Sequence, residues 1–237
     1  MMVSRIATGN VTRSLVEDIG GAIVRGDFAI GSSLPTEAEL AEKHRVSRTV
    51  TREALKMLTA KGLVQAWPRR GTMVRQESDW NLFDADVLAW LLGRTVSIPL
   101  VKDFLRMRLA IEPAAAHMAA SIGADVTEIE QAVEQMKRAA AHGGDALAAD
   151  SSFHASILRA SGNPFFAQMA PMVDTALRMT IRITNRLRGV KFASIEEHAD
   201  ILNAIRSADA DLSRVLSKAL VERALDLILE HGSKFTD

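Results

Sequence analysis

Residues 34–64 read LPTEAELAEKHRVSRTVTREALKMLTAKGLV and hold two helical patterns with a tight turn between them. The first helix is short, about Glu37–Lys43, and Thr36 with Glu39 three residues later forms a capping-box pattern at its start. The turn falls at His44–Val46. Two helices joined in this way predict a helix-turn-helix, a motif that places its second helix in the major groove of DNA.

The second helix of this motif carries the residues that would meet DNA. Ser47 can cap it, and the apolar spacing predicts a helix over Arg48–Ala60. Arg48, Thr49 and Arg52 lie about one turn apart on its outward side. An arginine in such a place bonds either a guanine edge or a phosphate, and the sequence leaves both interpretations open. We predict that these residues, with Ser47, form a DNA-reading surface.

Further patterns flank the helix-turn-helix on both sides. Apolar spacing predicts a helix over Thr12–Arg25, and residues 63–74, LVQAWPRRGTMV, predict a β-hairpin. A hairpin that directly follows a recognition helix is a wing. Its tip carries Arg69 and Arg70, which would reach the DNA backbone or the neighbouring groove, and Gly71, which lets the main chain approach closely.

The charge of the chain is distributed unevenly. Residues 1–76 hold 12 Lys and Arg against 7 Asp and Glu, whereas residues 77–237 hold 17 against 22. The stretch Arg45–Arg70 alone has seven basic residues and one acidic residue. This asymmetry favours a chain that meets a polyanion at one end only, although chance clustering on a solvated surface would look the same.

Composition excludes several classes of protein. The chain has no Cys, which rules out disulfides and thiolate metal sites. It has no Tyr and only 5% aromatic residues, which disfavours a stacking platform for single-stranded nucleic acid. The first residues, MMVSRIATGN, lack the apolar core of a secretory signal, and no run of about 18 apolar residues occurs. We therefore expect a soluble cytoplasmic protein without a membrane span.

From Trp80 onward the sequence predicts helix after helix and no alternating strand pattern. Thr127 with Glu130 is a second capping-box pattern. The predicted helices are Leu82–Leu92, Pro99–Ser121, Thr127–Ala141, Gly144–Ala160, Pro164–Leu187, Phe192–Ala208 and Asp211–Glu230. The fold class is therefore mainly α: a winged helix-turn-helix over 1–77, a linker helix over 78–96 and an antiparallel bundle over 97–237.

Three polar residues stand out on the apolar helices of the predicted bundle. Asp150 and His154 are four residues apart and share one face of a helix, and His198 lies on a later helix. If the three meet in the bundle core, they form a nitrogen and oxygen site of the kind that binds Zn²⁺, Ni²⁺ or Mn²⁺. A local ion pair between Asp150 and His154 is the simpler alternative.

The stretch 34–64, together with RRGTMV at 69–74, resembles the winged helix of the GntR family of bacterial regulators. The resemblance covers about 65 residues without a gap, and it implies DNA contact by Arg48, Thr49, Arg52 and Gly71. One position departs from the pattern, because Ala38 stands where the family often has an arginine. That departure removes one expected contact with a phosphate or a base.

Three segments of the predicted bundle resemble the effector domain, called FCD, of the FadR-type branch of this family. They are RMRLAIEPAAAHMAA, DSSFHASILRASGNPFF and EEHADILNAIRSADA. The resemblance implies that Asp150, His154 and His198 bind a metal, which helps to hold a carboxylate effector. A fourth His is expected where this chain has Leu220, so three protein ligands, ligand oxygens or a site without metal all remain open.

A finer resemblance concerns the linker. The segment WNLFDADVLAWLL, residues 80–92, is similar to that of sugar-acid-responsive members of the branch. This implies a sugar acid such as galactonate as effector, with Arg108 paired to its carboxylate. An intrahelical pair of Arg108 with Glu112 is the alternative. Arg178 and Ser194 are further candidates for effector contacts.

These observations predict a DNA-binding transcription regulator, a repressor that binds a pseudo-palindromic operator as a homodimer. The alternative from another class is a metal-dependent bundle enzyme with a DNA-binding appendage. The sequence has no nucleophile motif, no phosphate-binding glycine loop and no H-E-x-x-H, so we expect no enzyme activity.

Overall fold

The computed structural model describes residues 2–94, 97–189 and 194–231. The chain divides into two compact units, Met1–Arg94 and Thr95–Asp237. The helices are α1 (Met2–Arg25), α2 (Glu37–His44), α3 (Arg48–Ala60), α4 (Ala85–Gly93), α5 (Ile98–Ser121), α6 (Thr127–His142), α7 (Ala146–Ala160), α8 (Pro164–Arg188), α9 (Ile195–Arg206) and α10 (Ala210–His231), and the strands are β1 (Val64–Trp67) and β2 (Gly71–Val74). The predicted mainly α class is confirmed. In the described part of the chain, no helix combines the length and apolarity that a membrane span requires.

The helix-turn-helix forms as the sequence predicts. Thr36 Oγ1 accepts a hydrogen bond from the amide of Glu39, and the Glu39 carboxylate accepts one from the amide of Thr36, at 2.7 Å. This reciprocal cap starts α2. Arg45 closes the helix in a left-handed conformation, with φ 54°. Ser47 then caps α3 by accepting from the amide of Val50, so the predicted start of the recognition helix is confirmed.

The wing is an antiparallel pair of strands. β1 and β2 pair from Val64 with Val74 to Trp67 with Gly71. The turn between them needs two left-handed residues, Arg69 at φ 61° and Gly71 at φ 79°. The hairpin predicted over 63–74 is therefore confirmed, with its tip at the predicted place.

α4 packs within the first unit. A Cβ atom at Gly20 of α1 would lie 2.4 Å from the ring of Trp90, so only glycine permits this approach of the two helices. Trp90 Nε1 also donates to the carboxylate of Glu17 at 2.7 Å. The first unit thus runs to Arg94. Its end differs from the predicted boundary at 77, because the helix assigned to a linker contributes to the core beside α1.

The second unit contains the helices α5 to α10. α5 packs most extensively on α10, and α7 packs on both α6 and α8. The helices predicted from Leu82 onward all occur, with ends that shift by one to three residues, whereas α1 begins at Met2, ten residues before its predicted start at Thr12. Ser194 caps α9, while the predicted start of that helix at Phe192 lies outside the described residues.

The predicted capping box at Thr127 is wrong. Thr127 is the first residue of α6 and not its cap. The cap is Val126, whose side chain makes no capping hydrogen bond. Asp125 accepts instead from the amide and the hydroxyl of Thr127, at 2.9 and 2.6 Å. Asp125 thus takes the Thr127 amide that the Glu130 side chain would accept in a capping box, and the amide of Glu130 donates to the carbonyl of Val126 at 2.9 Å.

Candidate functional site

The outward side of α3 exposes the predicted DNA-reading residues. Arg48 and Thr49 are exposed, and their side chains have no partner among the residues that the structure describes. Arg52 is exposed too, but its guanidinium forks onto the carboxylate of Glu37 at 3.0 and 3.2 Å. This hydrogen-bonded pairing raises the pKa of Arg52. The side chain of Ser47 is committed to the helix cap, so it holds the start of the helix in place.

The wing adds positive charge at its tip. Arg69, Arg70 and Gly71 are all exposed, and the carbonyl of Arg70 accepts a hydrogen bond from Ser33 Oγ at 3.1 Å. That bond ties the tip to the loop before α2. Ala38 is exposed on α2, so a side chain at this position faces solvent. The surface therefore lacks the guanidinium that the family pattern places there.

One residue of the predicted basic stretch does not face solvent. Lys61 is 8% exposed, and its Nζ lies 2.7 Å from carboxylate oxygens of both Asp84 and Asp86. Burial would lower the pKa of Lys61, but the two hydrogen-bonded carboxylates outweigh burial and raise it. Counting Lys61 as charge available to DNA is wrong, because two aspartates neutralise it at the start of α4.

The helical bundle of the second unit contains a partly open cavity of about 40 Å³. This volume has room for a metal ion or a few water molecules, so a larger ligand enters only if side chains of the walls move. Its polar lining comes from four helices: Arg108, Asp150, His154, Thr180, Thr184, Asn185 and His198. Leu220 and Ala224 line it from α10.

Asp150, His154 and His198 meet at this cavity. One potential ligand atom from each lies within 4.8 Å of the others, and all three residues are buried. Oδ1 of Asp150 lies 3.3 Å from Nε2 of His154 and 3.3 Å from Nε2 of His198. The structure brings together the three residues that the sequence singled out.

The tautomer of His198 follows from its neighbours. Its Nδ1 lies 2.7 Å from the carbonyl oxygen of Ser194, which can only accept, so Nδ1 carries a hydrogen. Nε2 is buried and has no hydrogen-bond partner among the described residues. In a neutral ring Nε2 presents a lone pair beside the Asp150 carboxylate, an arrangement that a cation stabilises. This donor set fits a divalent metal such as Zn²⁺, Ni²⁺ or Mn²⁺.

The ring nitrogen of His154 that does not contact Asp150 is bound by a carboxylate. Nδ1 lies 2.8 Å from Oε2 of Glu112, and Arg108 donates to the two oxygens of Glu112 at 2.5 and 3.1 Å. All four residues of this chain of contacts, from Arg108 to Asp150, are buried. The intrahelical pair of Arg108 with Glu112, which the sequence left as an alternative, is therefore present.

The network contains two ionised carboxylates beside one guanidinium. Burial would raise the pKa of Glu112, but the charges of Arg108 and His154 outweigh it and lower the pKa to about 2. Burial has the same effect on Asp150, yet the two nearby histidines outweigh it and hold its pKa well below its usual value. For His154, burial would lower the pKa, and Glu112 outweighs burial and raises it. Arg108 offsets one of the two carboxylates, so the cluster carries one net negative charge when both imidazoles are neutral, the state in which histidines bind a metal.

Two predicted effector residues lie away from this cavity. Arg178 is exposed and pairs with Asp174 at 3.2 Å, and Ser194 caps α9. Neither lines the cavity. Sequence reasoning missed Thr180, Thr184 and Asn185, which do. Their spacing of four and five residues along α8 is the signal that would have found them.

Comparison with known proteins identifies the family. The model of "Bacterial regulatory proteins, gntR family" matches residues 11–74, and that of "FCD domain" matches residues 103–223. The chain is 31% identical over 220 residues to the galactonate operon transcriptional repressor of Escherichia coli (strain K12), covering 90% of this chain and 95% of the repressor. The chain belongs to the GntR family.

Other relatives agree with this GntR assignment. Identity to the uncharacterized HTH-type transcriptional regulator YieP of Escherichia coli (strain K12) is 31% over 224 residues, covering 91% of this chain and 94% of YieP. Among solved structures, Lar of Listeria monocytogenes aligns with a TM-score of 0.59 at 17% identity, over 92% of this chain and 96% of Lar. At that identity the likeness concerns the fold alone.

The family settles the class of protein. A GntR domain followed by an FCD domain makes the chain a DNA-binding transcription regulator and not an enzyme. The resemblance inferred from residues 34–64 is thus confirmed, and the alternative of a metal-dependent bundle enzyme is wrong.

Proposed function

We propose that this GntR-family protein is a repressor whose binding to double-stranded operator DNA is controlled by a small carboxylate, a sugar acid such as galactonate, held in the cavity of the second unit. One observation carries the proposal: Nε2 of His198 is buried without a partner, 3.3 Å from Asp150, at a cavity with polar walls. A buried polar atom of this kind is costly unless a cation or a ligand completes it. Identity to the galactonate operon transcriptional repressor supports the choice of a sugar acid.

Asp150, His154 and His198 would hold the divalent metal, Zn²⁺, Ni²⁺ or Mn²⁺. When bound, the metal supplies positive charge that offsets the net negative charge of the buried cluster and attracts an anion. Leu220 has no donor atom, so three protein ligands leave coordination positions open for oxygens of water or effector.

Arg108, which also lines the cavity, supports the binding of a carboxylate. Its Nε and one terminal nitrogen donate to Glu112, and the other terminal nitrogen has no bond to a described residue. That nitrogen would donate to the effector carboxylate while the pair with Glu112 stays intact. Arg108 thus combines the two roles that the sequence posed as alternatives.

On the DNA side, a C2 homodimer would place one α3 helix in each half-site of a pseudo-palindromic operator. The reading surface consists of Arg48, Thr49 and Arg52 on the helix, Ser47 at its cap, and Arg69, Arg70 and Gly71 on the wing. A repressor of this kind acts in the cytoplasm, where operator DNA is found. Release requires the effector to favour one arrangement of the DNA-binding units by about 1–3 kcal/mol.

Fluorescence anisotropy tests this function. Operator DNA is first selected from a random-sequence pool by the full-length protein, and its Kd is then measured with increasing galactonate, with Zn²⁺ or with chelator. We expect galactonate to weaken operator binding by roughly 10-fold or more in the presence of the metal. An operator Kd that stays constant at saturating galactonate and at saturating concentrations of other sugar acids would overturn the proposal.

A matched pair of histidine variants localises the effect. His198→Gln removes the unpartnered nitrogen from the cavity, and we expect it to abolish the response to galactonate while operator binding without effector is retained. His117→Gln is the control, because His117 lies on α5 outside the cavity and also has a buried, unpartnered ring nitrogen. Loss of the response in both variants would show that the cavity is not the cause.

A further inference from the structure

α8 presents a polar strip to the cavity. Thr180, Thr184 and Asn185 line it, and they are 1%, 8% and 8% exposed. The same helix buries Ala176, Leu177 and other apolar residues in the bundle core. Buried polar side chains cost free energy unless hydrogen bonds satisfy them, so the partners of each of the three decide what the strip can bind.

The two threonines can only accept further hydrogen bonds. Thr180 Oγ1 donates its hydrogen to the carbonyl of Leu177 at 3.3 Å, and Thr184 Oγ1 donates to the carbonyl of Ile181 at 3.1 Å. A hydroxyl has one hydrogen, so only oxygen lone pairs remain available to the cavity. A ligand that satisfies them has to carry a donor, which neither a carboxylate nor a hydrocarbon chain provides.

The side chain of Asn185 has free donor hydrogens, which the two threonines lack. Its side chain has no hydrogen-bond partner within 2–94, 97–189 and 194–231, although the residue is more than nine-tenths buried. A primary amide presents two donor hydrogens and an acceptor oxygen. A ligand group that both donates and accepts would therefore bond to Asn185 and to a threonine.

We infer that Thr180, Thr184 and Asn185 form a hydroxyl-binding subsite that selects a polyhydroxylated carboxylate over a carboxylate with a plain hydrocarbon chain. The inference rests on the proposed function, since it assumes that the cavity takes a carboxylate. A hydroxyl donates to a threonine oxygen and accepts from the Asn185 amide. A hydrocarbon chain leaves the Asn185 amide unpaired and the threonine lone pairs unused, and sites built to bond hydroxyls reject ligands that lack them.

Isothermal titration calorimetry on the full-length, Zn²⁺-loaded protein tests the subsite with two six-carbon acids, galactonate and hexanoate. We expect the wild-type protein to bind galactonate and to bind hexanoate at least roughly 100-fold more weakly. Asn185→Leu, of similar shape, should weaken galactonate binding by roughly 10-fold and leave hexanoate binding unchanged or improved. Thr184→Val is the second variant and keeps the test decisive if Asn185→Leu does not fold.

Thr175→Val is the control. Thr175 lies on α8, its hydroxyl also bonds to a helix carbonyl, that of Pro171 at 3.0 Å, and it does not line the cavity. We expect galactonate binding of this variant to equal that of the wild type. Equal affinity for galactonate and hexanoate, with no effect of Asn185→Leu and Thr184→Val, overturns the subsite and leaves the proposed function standing. Binding of neither acid, nor of any other sugar acid, overturns the proposed function itself.

Discussion

Glu112 Oε2 lies 2.8 Å from Nδ1 of His154, and both residues are buried. The contact joins α5 to α7 and leaves the other imidazole nitrogen facing Asp150. Arg108 in turn holds Glu112 through two hydrogen bonds. Carboxylates in this outer position fix the ring orientation and the tautomer of a metal-binding histidine. In the proposed metal site, Glu112 would thus be a positioning residue that acts on the metal through His154.

Glu112→Gln should weaken metal binding. The amide keeps the size of the side chain but loses the charge that holds the imidazole, and changes of this kind cost about 10- to 100-fold in metal affinity. Competition with a fluorescent Zn²⁺ chelator measures the change. Glu134→Gln is the control, because Glu134 is exposed on α6 and its ion pair with Lys137 at 2.7 Å lies at the surface. Equal affinities of the two variants would contradict the role of Glu112.

The same carboxylate makes stability depend on acid pH. The pKa of Glu112 is lowered to about 2 in the folded protein from 4.5, so the ionised group stabilises the fold at any pH above 4.5. That stabilisation, on the order of 3 kcal/mol, is lost as pH falls from 4.5 towards 2. Urea unfolding of the metal-free protein between pH 6 and pH 2.5 measures it. In Glu112→Gln the acid dependence should be visibly shallower, and an unchanged slope would show that other carboxylates carry it.

Arg48→Ala should impair base-specific recognition of the operator. Arg48 is exposed at the start of α3 without a partner in the described chain, so its guanidinium is available to a guanine edge. Loss of such a contact costs about 1–3 kcal/mol and relaxes base preference at one position. Anisotropy with single-base operator variants measures both effects. Arg106→Ala, an exposed arginine of α5 paired with Asp103, should bind every operator variant as the wild type does.

Arg69→Ala should behave differently, because a residue at the exposed wing tip is placed to contact phosphate. We expect weaker binding of all sequences alike, and a slope of log Kd against log salt concentration that falls by about one unit. Titrations from 50 to 300 mM KCl provide the slope. A change in base preference without a change in the slope would assign Arg69 to direct readout of bases.

Local patterns account for what the sequence predicted well. The cap residues Thr36, Glu39 and Ser47 act on amides within three residues, so their roles and the bounds of α3 follow from spacing. The pair Asp150 and His154 lies one turn apart on one helix and is equally local. The meeting of these two with His198 depended on family resemblance.

Contacts between segments that are far apart in the sequence could not be predicted from local patterns. The burial of Lys61 arises because α4 brings Asp84 and Asp86 to it, more than twenty residues along the chain. The contact of Glu112 with His154 depends on how α5 packs on α7, and the polar strip of α8 depends on which side of that helix faces the cavity. Each is a property of helix packing, which neither charge counts nor periodicity along one helix contains.

Leu220→His should tighten metal binding. Leu220 lines the cavity together with Asp150, His154 and His198, and an imidazole there would add a fourth protein donor to a set that has three. We expect Zn²⁺ affinity to rise by at least roughly 10- to 100-fold, the size of effect known for residues that orient a metal ligand. Competition with a fluorescent Zn²⁺ chelator measures the change. If effector oxygens use the position that Leu220 leaves open, galactonate should also lose its effect on operator binding.

Ala224→His is the matched control, because Ala224 lines the cavity one turn further along α10. An equal gain in affinity from both variants would show that position 220 has no special relation to the metal, and a gain that leaves the galactonate response intact would show that the effector binds elsewhere in the cavity.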